Sequence, residues 1–596
     1  MTYQAIVPAE LAFDGNGIPY APAYGDCYHS ASGALEQARH VFLAGNDLPA
    51  RWQGRDFVIL ETGFGLGLNF LATSQAWKSN SGYRLHYVAI EKHPFRLDDL
   101  KQLHARWPEL APFAARLQAQ WPLPLPGLHR LDFGNVSLTL GFGDVQTLLP
   151  QLTLATNAIY LDGFAPTKNP EMWSDEVFAA LARLAASDAT LASWSVLDDM
   201  MFRLSRQGFH LEKRPGFGTK RYMLAGQLPG AVSPAPTFKA RRIAVIGAGI
   251  AGASAAHALK KRGHEVIVIE AGPAPAQGAS GNHAGVFRPL PALDDSRLAR
   301  LLRAGFLLGH RQFSELNDAR LGWTGALHIA RDAEHEATQR RIVAEHQLPT
   351  EFCRFVERDE ANALAGWPVE LGGWWFPQAG WINPPSLCRA LLADIEVRYG
   401  QRIDSIDNID ADEVVIANGI DAPALVPNLK LPIRVGRGLV SHVPEAATPP
   451  FDIVATRLGY VTPAVDGIRC AGATMARGDH DPAPRLADHV ENLYRLEMLL
   501  PGFGKSLDPA QLDGRVSFRP MSPDRLPLVG PLVANEGLWI IDGFGARGLV
   551  FSAICAELLA SQIGSEPLPL ETDLVAALAP GRFSKKQNVR NCNAGH

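Results

Sequence analysis

Two glycine-rich loops of different spacing constrain this chain of 596 residues more than any other feature. Residues 56–67 read DFVILETGFGLG and residues 242–252 read RIAVIGAGIAG, so each loop follows an apolar run typical of a strand. The first loop has the pattern G-x-G-x-G, and the second has G-x-G-x-x-G. Because such turns let the backbone approach a nucleotide closely, we predict two nucleotide-binding domains and two reactions.

Composition indicates a large enzyme without membrane or metal chemistry. The length suggests two to four domains, and 47% hydrophobic with 20% charged residues is typical of a globular protein. A net charge of -5 argues against a globally basic nucleic-acid binder, although it does not exclude a local basic surface. The six cysteines form no C-x-x-C pair, and the chain shows no signal-peptide pattern or long apolar run. We therefore expect a cytoplasmic enzyme without metal.

The clearest domain boundary is a proline-rich stretch. Residues 227–240 read QLPGAVSPAPTFKA, contain three prolines and have no apolar periodicity. We predict a first domain at 1–228, a linker at 229–240, a second domain at 241–580 and a disordered tail at 581–596.

Strand-like and helix-like stretches alternate in the first half, which predicts an α/β fold with a mostly parallel sheet. A final pair of strands around a Gly-Phe-Gly turn predicts an antiparallel hairpin. The second half opens with another strand–loop–helix–strand unit, whereas residues 290–510 show no clear order. The candidate strands of the first half are Phe57–Leu60, Leu85–Ile90, Val136–Leu140, Ala158–Leu161 and Thr190–Trp194.

The first loop favours S-adenosylmethionine (SAM) as its ligand, because the G-x-G-x-G spacing is the usual form of such sites. We predict that Glu91, at the end of the next strand, binds ribose hydroxyls and that Asp144 contacts the adenine amino group. A plain turn is the alternative for an isolated glycine loop. The other predicted cofactor-binding residues here are Glu61, Gly63, Gly65 and Gly67.

Asp162 is the catalytic candidate of the first half. It ends a strand in YLDGFAPTKNPEMW, at the edge of the sheet where open α/β folds bind ligands. An alkylamine with a pKa near ~10.4 is mostly protonated at pH 7, a handicap of about 4–5 kcal/mol. A carboxylate is a poor base for that proton unless burial raises its pKa. We predict that Asp162 mainly positions an amine nucleophile. Helix capping is the alternative, although Asn169–Pro170 is the better cap.

The second loop favours FAD once later segments are included. Glu270 lies 18 positions after Gly252, where an acid binds an adenosine ribose hydroxyl. The segments GASGNHAG (278–285), EVVIANG (413–419) and IIDGFGARGLVFS (540–552) each place small residues where backbone can contact a cofactor. A plain loop is the alternative for any one of them. The other predicted cofactor-binding residues are Gly247, Gly249, Ser280, Asn282, Gly419, Gly543, Gly545 and Gly548.

Arg519, in VSFRPMSPDRLPLVG, is the catalytic candidate of the second half. A guanidinium group binds a carboxylate through two parallel hydrogen bonds. An ordinary surface ion pair is the alternative. Arg547 and Tyr460 are weaker substrate-binding candidates, for which a structural role is the alternative.

These motifs carry two resemblances. The run through G-A-G-I-A-G, G-A-S-G-N, A-N-G, R-P-M-S-P-D and G-F-G-A-R-G resembles the D-amino acid oxidase family, which includes glycine and sarcosine oxidases. Preceded by E-T-G-F-G-L-G-L-N-F and L-D-G-F-A-P-T-K-N-P-E-M-W, the whole chain resembles the bacterial family of bifunctional tRNA 5-methylaminomethyl-2-thiouridine biosynthesis proteins. The resemblance implies a Rossmann-like SAM methyltransferase domain followed by an FAD-binding oxidoreductase domain with an α+β substrate part.

The resemblance also implies a reaction sequence. The oxidoreductase half would remove the carboxymethyl group from 5-carboxymethylaminomethyl uridine or its 2-thio form, leaving 5-aminomethyl, which the other half would methylate. Arg519 would hold the carboxylate, the segment from Gly247 to Glu270 the ADP part of FAD, and Asp162 the new amine. We expect non-covalent FAD, since no cysteine follows the G-A-S-G-N segment and only His283 could invite a covalent link.

The implied partner is tRNA, bound through its anticodon loop at the wobble uridine by a monomeric enzyme. A basic run at the end of the first half could bind phosphates, and a solvated surface is the alternative. Its candidate substrate-binding residues are Lys213, Arg214, Lys220 and Arg221.

Two other functions stay open at the level of sequence. One is a free glycine- or sarcosine-type amino-acid oxidase fused to a small-molecule N-methyltransferase. The other is a non-catalytic, flavin-bound RNA-binding module, against which the Asp162 and Arg519 motifs argue.

Overall fold

The computed structural model describes residues 3–80, 82–230, 239–533 and 536–583. The chain forms two compact units. The N-terminal unit contains Gln4–Lys239 together with Gly564–Asp573, and the body of the C-terminal unit is Ala240–Ile563. Among the described residues, no helix has the length and apolar character that a membrane span requires.

The structure differs from the predicted domain limits at the end of the chain. Gly564–Asp573 packs in the N-terminal unit, where the Thr572 hydroxyl donates to the Gln151 carbonyl at 2.8 Å and the Leu568 amide donates to the Thr153 carbonyl at 3.1 Å. Residues 581–583 of the predicted tail are folded, beginning within the 3₁₀ helix Pro580–Arg582. Residues 231–238 of the predicted linker and 584–596 of the tail lie outside the described residues.

The N-terminal unit is an α/β fold. Its strands are β1 (Ala12–Phe13), β2 (Pro19–Ala21), β3 (Asp26–Cys27), β4 (Phe57–Glu61), β5 (Leu85–Glu91), β6 (Gly127–Asp132), β7 (Val136–Phe142), β8 (Thr156–Tyr160), β9 (Ala185–Ser193), β10 (His210–Pro215) and β11 (Tyr222–Gln227). Its helices are α1 (Ala34–Gln37), α2 (Leu68–Trp77), α3 (Leu97–His104), α4 (Ala111–Ala119), α5 (Val145–Leu148), α6 (Asp175–Leu184) and α7 (Asp198–Arg206).

Eight strands of this unit form one sheet in the order β10-β11-β9-β8-β4-β5-β7-β6. The five central strands, from β9 to β7, are parallel, and the β10–β11 hairpin and β6 are antiparallel. All residues of β7 are buried, as expected for a strand covered on both faces. The predicted α/β class is confirmed. Strand β6 and the three-stranded sheet β1–β3 were not predicted.

The C-terminal unit combines two larger sheets. Its strands are β12 (Arg242–Ile246), β13 (Glu265–Ile269), β14 (Gly285–Phe287), β15 (Leu321–Gly322), β16 (Ala326–Ile329), β17 (Arg354–Val356), β18 (Gly373–Phe376), β19 (Gly380–Ile382), β20 (Glu396–Arg398), β21 (Glu413–Ile416), β22 (Arg434–Pro444), β23 (Val454–Thr456), β24 (Tyr460–Val461), β25 (Ile468–Gly472), β26 (Ala476–Arg477), β27 (Asp513–Met521), β28 (Leu528–Pro531) and β29 (Leu538–Asp542). Its helices are α8 (Ile250–Lys261), α9 (Arg297–Ser314), α10 (Ala333–Glu345), α11 (Arg358–Ala365), α12 (Pro384–Leu391), α13 (Ala422–Leu425), α14 (Leu486–Leu499) and α15 (Gly548–Ile563), followed by α16 (Thr572–Leu578).

One sheet has the order β20-β13-β12-β21-β29-β28, and all its pairs are parallel except β28–β29. The glycine loop therefore joins a central strand, β12, to helix α8. A second sheet runs β17-β18-β16-β23-β24-β25-β22-β26, with β27 paired to β22. This mixed sheet lies in the region whose order the sequence did not reveal, because its short strands are far apart in the chain.

Gly252 lets the first turn of α8 pack against the loop that precedes it. A Cβ atom at this position would overlap the carbonyl oxygen of Gly247. We expect Gly252→Ala to lower stability by about 2 kcal/mol and the melting temperature by several degrees, as overpacking does. The control is Gly581→Ala, because a Cβ there would meet nothing within 4 Å. Equal melting temperatures for the two variants would contradict this packing argument.

Candidate active sites

The N-terminal cavity lies at the carboxyl ends of β4, β5 and β8 and has a volume of about 370 Å³. Parallel strands place their ligand sites at this edge, since the loops leaving the strands converge there. The cavity is lined by predicted residues of the glycine loop and by Glu91, Asp144 and Asp162. Segments near the N-terminus of the chain complete the wall, including Tyr24, Tyr28 and His29.

The glycine loop is held in a conformation that side chains disfavour. Gly65 and Gly67 have φ values of 52° and 76°, in the left-handed region. A Cβ on Gly63 would lie 2.9 Å from the Asp162 carbonyl oxygen. Glu91 fixes the loop from the other side, because its carboxylate accepts the amides of Gly65 at 2.7 Å and His93 at 2.8 Å. Its predicted ribose contact stays a prediction.

Asp144 lines the cavity but already has two partners. Its Oδ1 caps α5 by accepting the Gln146 amide at 2.9 Å, and its Oδ2 pairs with Lys92 Nζ at 2.8 Å. Lys92 was not predicted from the sequence. The predicted contact of Asp144 with an adenine amino group requires its carboxylate to accept hydrogen bonds from that group and from Lys92 together.

Asp162 and Glu61 form a pair of carboxyl groups bridged by an amide. Asn69 Nδ2 donates to Glu61 Oε1 at 2.7 Å and to Asp162 Oδ2 at 2.9 Å. Burial raises the pKa of Asp162 from 3.8 to about 6, whereas hydrogen bonds from Asn69 and the Gly163 amide lower it. Burial, followed by the charge of Asp162, raises the pKa of Glu61 well above its usual value. Asp162 is thus a stronger proton acceptor than an exposed aspartate.

The capping alternative for Asp162 finds no support in the helices that follow. Helix α6 is capped by Ser174, whose hydroxyl accepts the Val177 amide. The favoured cap, Asn169, makes no side-chain capping bond to the 3₁₀ helix Pro170–Trp173. Asn169 therefore occupies the N-cap position of the 3₁₀ helix, with Pro170 as its first residue, although it forms no capping bond and the α-helix has its own cap, Ser174.

Several residues that line this cavity were not predicted from the sequence. Asn69 stands two positions after the last glycine of the loop. Its place at the start of the helix is the sequence signal that could have identified it as a cavity residue. Tyr24 stacks on Phe164 with ring centroids 4.7 Å apart, and Tyr28 meets Phe164 edge-on at 5.1 Å. No spacing rule connects these aromatic residues, since they come from segments more than a hundred residues apart.

The C-terminal cavity is larger, with a volume of about 880 Å³. Gly247, with a φ of 106°, lies so close to the next strand that a Cβ would be 2.7 Å from the Ala417 carbonyl. Glu270 accepts the amides of Ala248 and Gly272, each at 2.7 Å. Ser280 Oγ accepts the Ile250 amide at 3.0 Å, at the start of α8. The structure thus brings the first loop, Glu270 and the 278–285 segment to one cavity.

Four buried oxygens in the C-terminal cavity have no partner within the described residues: Asn282 Oδ1, Asn418 Oδ1, Ser517 Oγ and Asp542 Oδ2. Buried polar atoms in proteins are normally hydrogen-bonded, so these atoms indicate a polar ligand. Burial raises the pKa of Asp542 to about 7, although the Gly543 and Gly419 amides lower it. The cavity residues therefore fit a large ligand rich in hydroxyl and N–H groups, as FAD is.

The predicted small-residue turns also reach this cavity. Gly419, Gly543 and Gly545 have φ values of 68°, 75° and 57°, and helix α15 begins at Gly548. A helix of 16 residues that begins at the wall directs its positive end towards a ligand. The Gly249 backbone lines the same space.

Arg519 is buried, with 7% of its surface exposed, and faces the C-terminal cavity. Its Nη1 donates to the Thr474 carbonyl at 3.2 Å, and no carboxylate of the described residues pairs with it. Burial lowers its pKa, whereas the charge of Tyr460 raises it. The surface ion pair considered as an alternative is therefore absent from the described part of the chain. A buried cation of this kind indicates an anionic ligand.

Three further residues of the same cavity wall are Tyr460, Arg547 and Arg288. Burial raises the pKa of Tyr460, and burial lowers that of Arg547. Arg288 was missed by the sequence argument. Burial, followed by the charge of Arg547, lowers its pKa to about 10. His283, in contrast, is hydrogen-bonded through Nε2 to the Val465 carbonyl at 2.7 Å.

The basic run is not a single surface. Lys213 pairs with Asp198 at 2.9 Å, whereas Arg214, its neighbour on β10, pairs with Asp47 at 2.9 Å. Neighbouring residues of a strand point to opposite faces, which separates these two charges.

The other two cations of the run lie against aromatic rings: Lys220 over Trp194 at 4.6 Å and Arg221 over Tyr222 at 5.0 Å. The phosphate contacts of the run stay predictions.

Comparison with known proteins gives a family match for each of the two domains that hold a cavity. Residues 242–562 match the family model of the FAD dependent oxidoreductases, and residues 108–229 match that of an S-adenosyl-L-methionine-dependent methyltransferase. The chain is therefore a bifunctional enzyme with a methyltransferase domain and an FAD-dependent oxidoreductase domain. Its cofactors are FAD and S-adenosylmethionine.

Relatives match almost the whole chain. The tRNA 5-methylaminomethyl-2-thiouridine biosynthesis bifunctional protein MnmC of Azoarcus sp. (strain BH72) is 50% identical, over 97% of this chain and 98% of that protein. The protein of the same name from Aromatoleum aromaticum is 51% identical over the same shares. Among solved structures, glycine oxidase from Geobacillus kaustophilus has a TM-score of 0.48 at 22% identity and covers 57% of this chain and 98% of its own. This chain belongs to the family of tRNA 5-methylaminomethyl-2-thiouridine biosynthesis bifunctional proteins.

The raised pKa of Asp162 predicts a step in the pH dependence of methyl transfer. Below pH 6 the carboxyl group is mostly protonated, and above it the group is ionised and can accept N–H hydrogen bonds. We expect the methylation rate to rise with a midpoint near 6 and Asp162→Asn to lack this step. Single-turnover rates between pH 5 and 8 measure it. A midpoint below 5 in the unaltered enzyme would contradict the expectation.

Proposed function

We propose that the enzyme completes a modified wobble uridine in tRNA in two steps. The first removes the carboxymethyl group from 5-carboxymethylaminomethyl uridine or its 2-thio form and leaves a 5-aminomethyl group. The second methylates this amine to 5-methylaminomethyl. The observation that carries the proposal is Arg519, a buried cation that no carboxylate of the described residues pairs with, in a cavity that fits a flavin. A substrate that ends in a carboxylate provides the missing charge.

The oxidative half requires the glycine-like arm of the substrate to be held beside the cofactor. When bound, FAD would supply the acceptor for a hydride from the methylene carbon next to the amine. Arg519 binds the carboxylate with two parallel hydrogen bonds and so orients the methylene group. Water then hydrolyses the substrate imine to glyoxylate and a primary amine. Tyr460 and Arg547, in the same wall, are positioned to bind the substrate.

Cofactor binding is assigned to the backbone and oxygens of the C-terminal cavity. The segment from Gly247 to Glu270 holds the ADP part, with Glu270 at the ribose. The unpartnered oxygens of Asn282, Asn418 and Asp542 accept or share hydrogens with the polar chain of the cofactor. In the N-terminal cavity, Glu91 and Asp144 hold the ribose and adenine of the methyl donor.

The methylating half must orient an amine and remove its proton. When bound, S-adenosylmethionine supplies the methyl group. With a pKa of about 6, Asp162 is closer to the pKa of an amine than an exposed aspartate is. This shift lowers the cost of taking the proton, and the carboxylate also positions the nitrogen. The two roles fit a carboxyl group that lines the cavity.

The proposed partner is tRNA, since the relatives that match the whole chain carry a tRNA modification name. Wobble bases lie in a single-stranded loop, where a base can be splayed out into a cavity. We place the enzyme in the cytoplasm as a monomer, with Lys213, Arg214, Lys220 and Arg221 as candidate phosphate contacts. The alternative of a free amino-acid oxidase fused to a small-molecule methyltransferase is not favoured, because these relatives span both domains.

The direct test uses hypomodified tRNA incubated with and without SAM, followed by mass analysis of the nucleosides. We expect loss of the carboxymethyl group without SAM and gain of one methyl group only with it. Asp162→Ala should abolish the gain of methyl and leave the first step unchanged. Loss of both steps in Asp162→Ala would contradict this division of labour, and rapid glycine or sarcosine oxidation without action on tRNA would favour the alternative.

Arg519→Ala should weaken the first step while FAD remains bound. Loss of a buried charge-assisted hydrogen bond costs roughly 2–3 kcal/mol, so we expect about a hundredfold loss of kcat/KM. Arg519→Lys keeps the charge without the paired geometry and should retain part of the activity. Flavin absorbance reports cofactor content in each variant. Unaltered kcat/KM in Arg519→Ala would show that the carboxylate binds elsewhere.

A further inference from the structure

Asn69 lies between two carboxyl groups in a way that fixes the direction of its amide. The two bonds from Nδ2 to Glu61 Oε1 and Asp162 Oδ2 measure 2.7 and 2.9 Å. A side-chain amide has two N–H hydrogens, so both are used. The nitrogen must face the carboxyl groups, and the oxygen Oδ1 must face away from them.

The Glu61 end of this hydrogen-bonded group is rigid. Glu61 is fully buried, and its second oxygen accepts the Tyr87 hydroxyl at 2.9 Å. Asn69 itself is 8% exposed and lies in the first turn of α2, immediately beyond the glycine loop. Glu61 cannot move without breaking its buried hydrogen bonds to Tyr87 and Asn69.

The amide oxygen of Asn69 accepts no hydrogen bond from the described residues, and its side chain belongs to the wall of the N-terminal cavity. The Asp162 carboxyl group lines the same wall. The cavity therefore presents two hydrogen-bond acceptors from neighbouring side chains, one ionisable and one neutral. A primary amine offers two N–H groups.

We propose that Asn69 Oδ1 and the Asp162 carboxylate together bind the two N–H groups of the primary amine and thereby limit the reaction to one methyl group. This inference rests on the proposed function. Asn69 is then a substrate-binding residue that determines product specificity, and it also positions Asp162 through Nδ2.

The geometry accounts for the transfer step. With both N–H groups held by the wall, the nitrogen lone pair points away from it, towards the methyl donor. The lone pair forms the new N–C bond, and the electron pair of the broken C–S bond stays on sulfur. The resulting ammonium gives one proton to the Asp162 carboxylate, which passes it to water.

The same geometry disfavours a second transfer. The methylated amine in its neutral form has one N–H group, which Asp162 binds. For its lone pair to face the donor again, the new methyl group would have to lie against Asn69 Oδ1. The methyl group would crowd this oxygen and leave it without a hydrogen bond.

The test is Asn69→Ala in the full-length enzyme, with tRNA that carries the 5-aminomethyl group and excess SAM. We expect the first methylation to slow about tenfold, as loss of one hydrogen bond predicts, and a dimethylated nucleoside to accumulate. We also expect the midpoint of the pH profile to rise, because the Asn69 hydrogen bond lowers the pKa of Asp162. Mass analysis over time measures the ratio of products.

Asn46→Ala is the matched control for loss of a buried amide. Asn46 is fully buried, donates to the Phe42 carbonyl at 2.9 Å and accepts the Thr190 hydroxyl at 2.7 Å. This variant should be less stable but give only the monomethyl product. Asn69→Ser is a second, smaller change, and equilibrium binding of SAM together with the melting temperature shows whether each variant is folded.

The inference is overturned if Asn69→Ala and Asn69→Ser give no dimethyl product, whether monomethylation continues at an unaltered rate or is lost while SAM still binds. A dimethyl product from Asn46→Ala would overturn it as well, because any loosening of the fold would then suffice. If the unaltered enzyme methylates no tRNA at all, the proposed function itself fails. The carboxymethyl removal step, measured in the same samples, separates these cases.

Discussion

Ionisable groups buried without an opposite charge are the constraint on which both sites depend. Burying a charge is costly unless a partner or a shifted pKa compensates for it. Burial raises the pKa of Asp162 to about 6 and that of Asp542 to about 7, so that each carboxyl group is more easily neutralised by a proton. Arg519 keeps its charge and lacks a carboxylate among the described residues. The fold holds these groups at strand ends and loops, where a ligand can satisfy them.

The two cavities hold ionisable groups of opposite charge. In the N-terminal cavity, carboxyl groups gather around the place of an amine, and burial makes Asp162 a better proton acceptor. In the C-terminal cavity, five arginines line one space, of which Arg519 is the most deeply buried by surface exposure. An amine and a carboxylate are the two functional groups of a glycine-like substrate arm. One cavity is suited to removing the carboxymethyl group, and the other to modifying the amine that remains.

The sequence predicted what local spacing determines. Each of the five candidate strands of the first half overlaps a strand of the observed sheet, because strand–helix alternation is a local pattern. The two glycine loops and Glu270 were found from the sequence for the same reason, because their spacing from the neighbouring strands is also a local pattern. The sequence did not reveal Lys92, Arg288 or the Tyr24–Phe164 stack, since these contacts join segments distant in the chain. It also assigned Gly564–Asp573 to the second domain, although hydrogen bonds to Gln151 and Thr153 hold it in the N-terminal unit.

The central claim is that the C-terminal cavity recognises a carboxylate on a secondary amine, and anaerobic flavin absorbance tests it most directly. The purified enzyme is titrated with tRNA that carries either the carboxymethylaminomethyl or the aminomethyl group. We expect the oxidised flavin absorbance to fall in proportion to the first tRNA and to stay unchanged with the second. An equal response to both, or a response to neither while flavin is bound, would contradict the account.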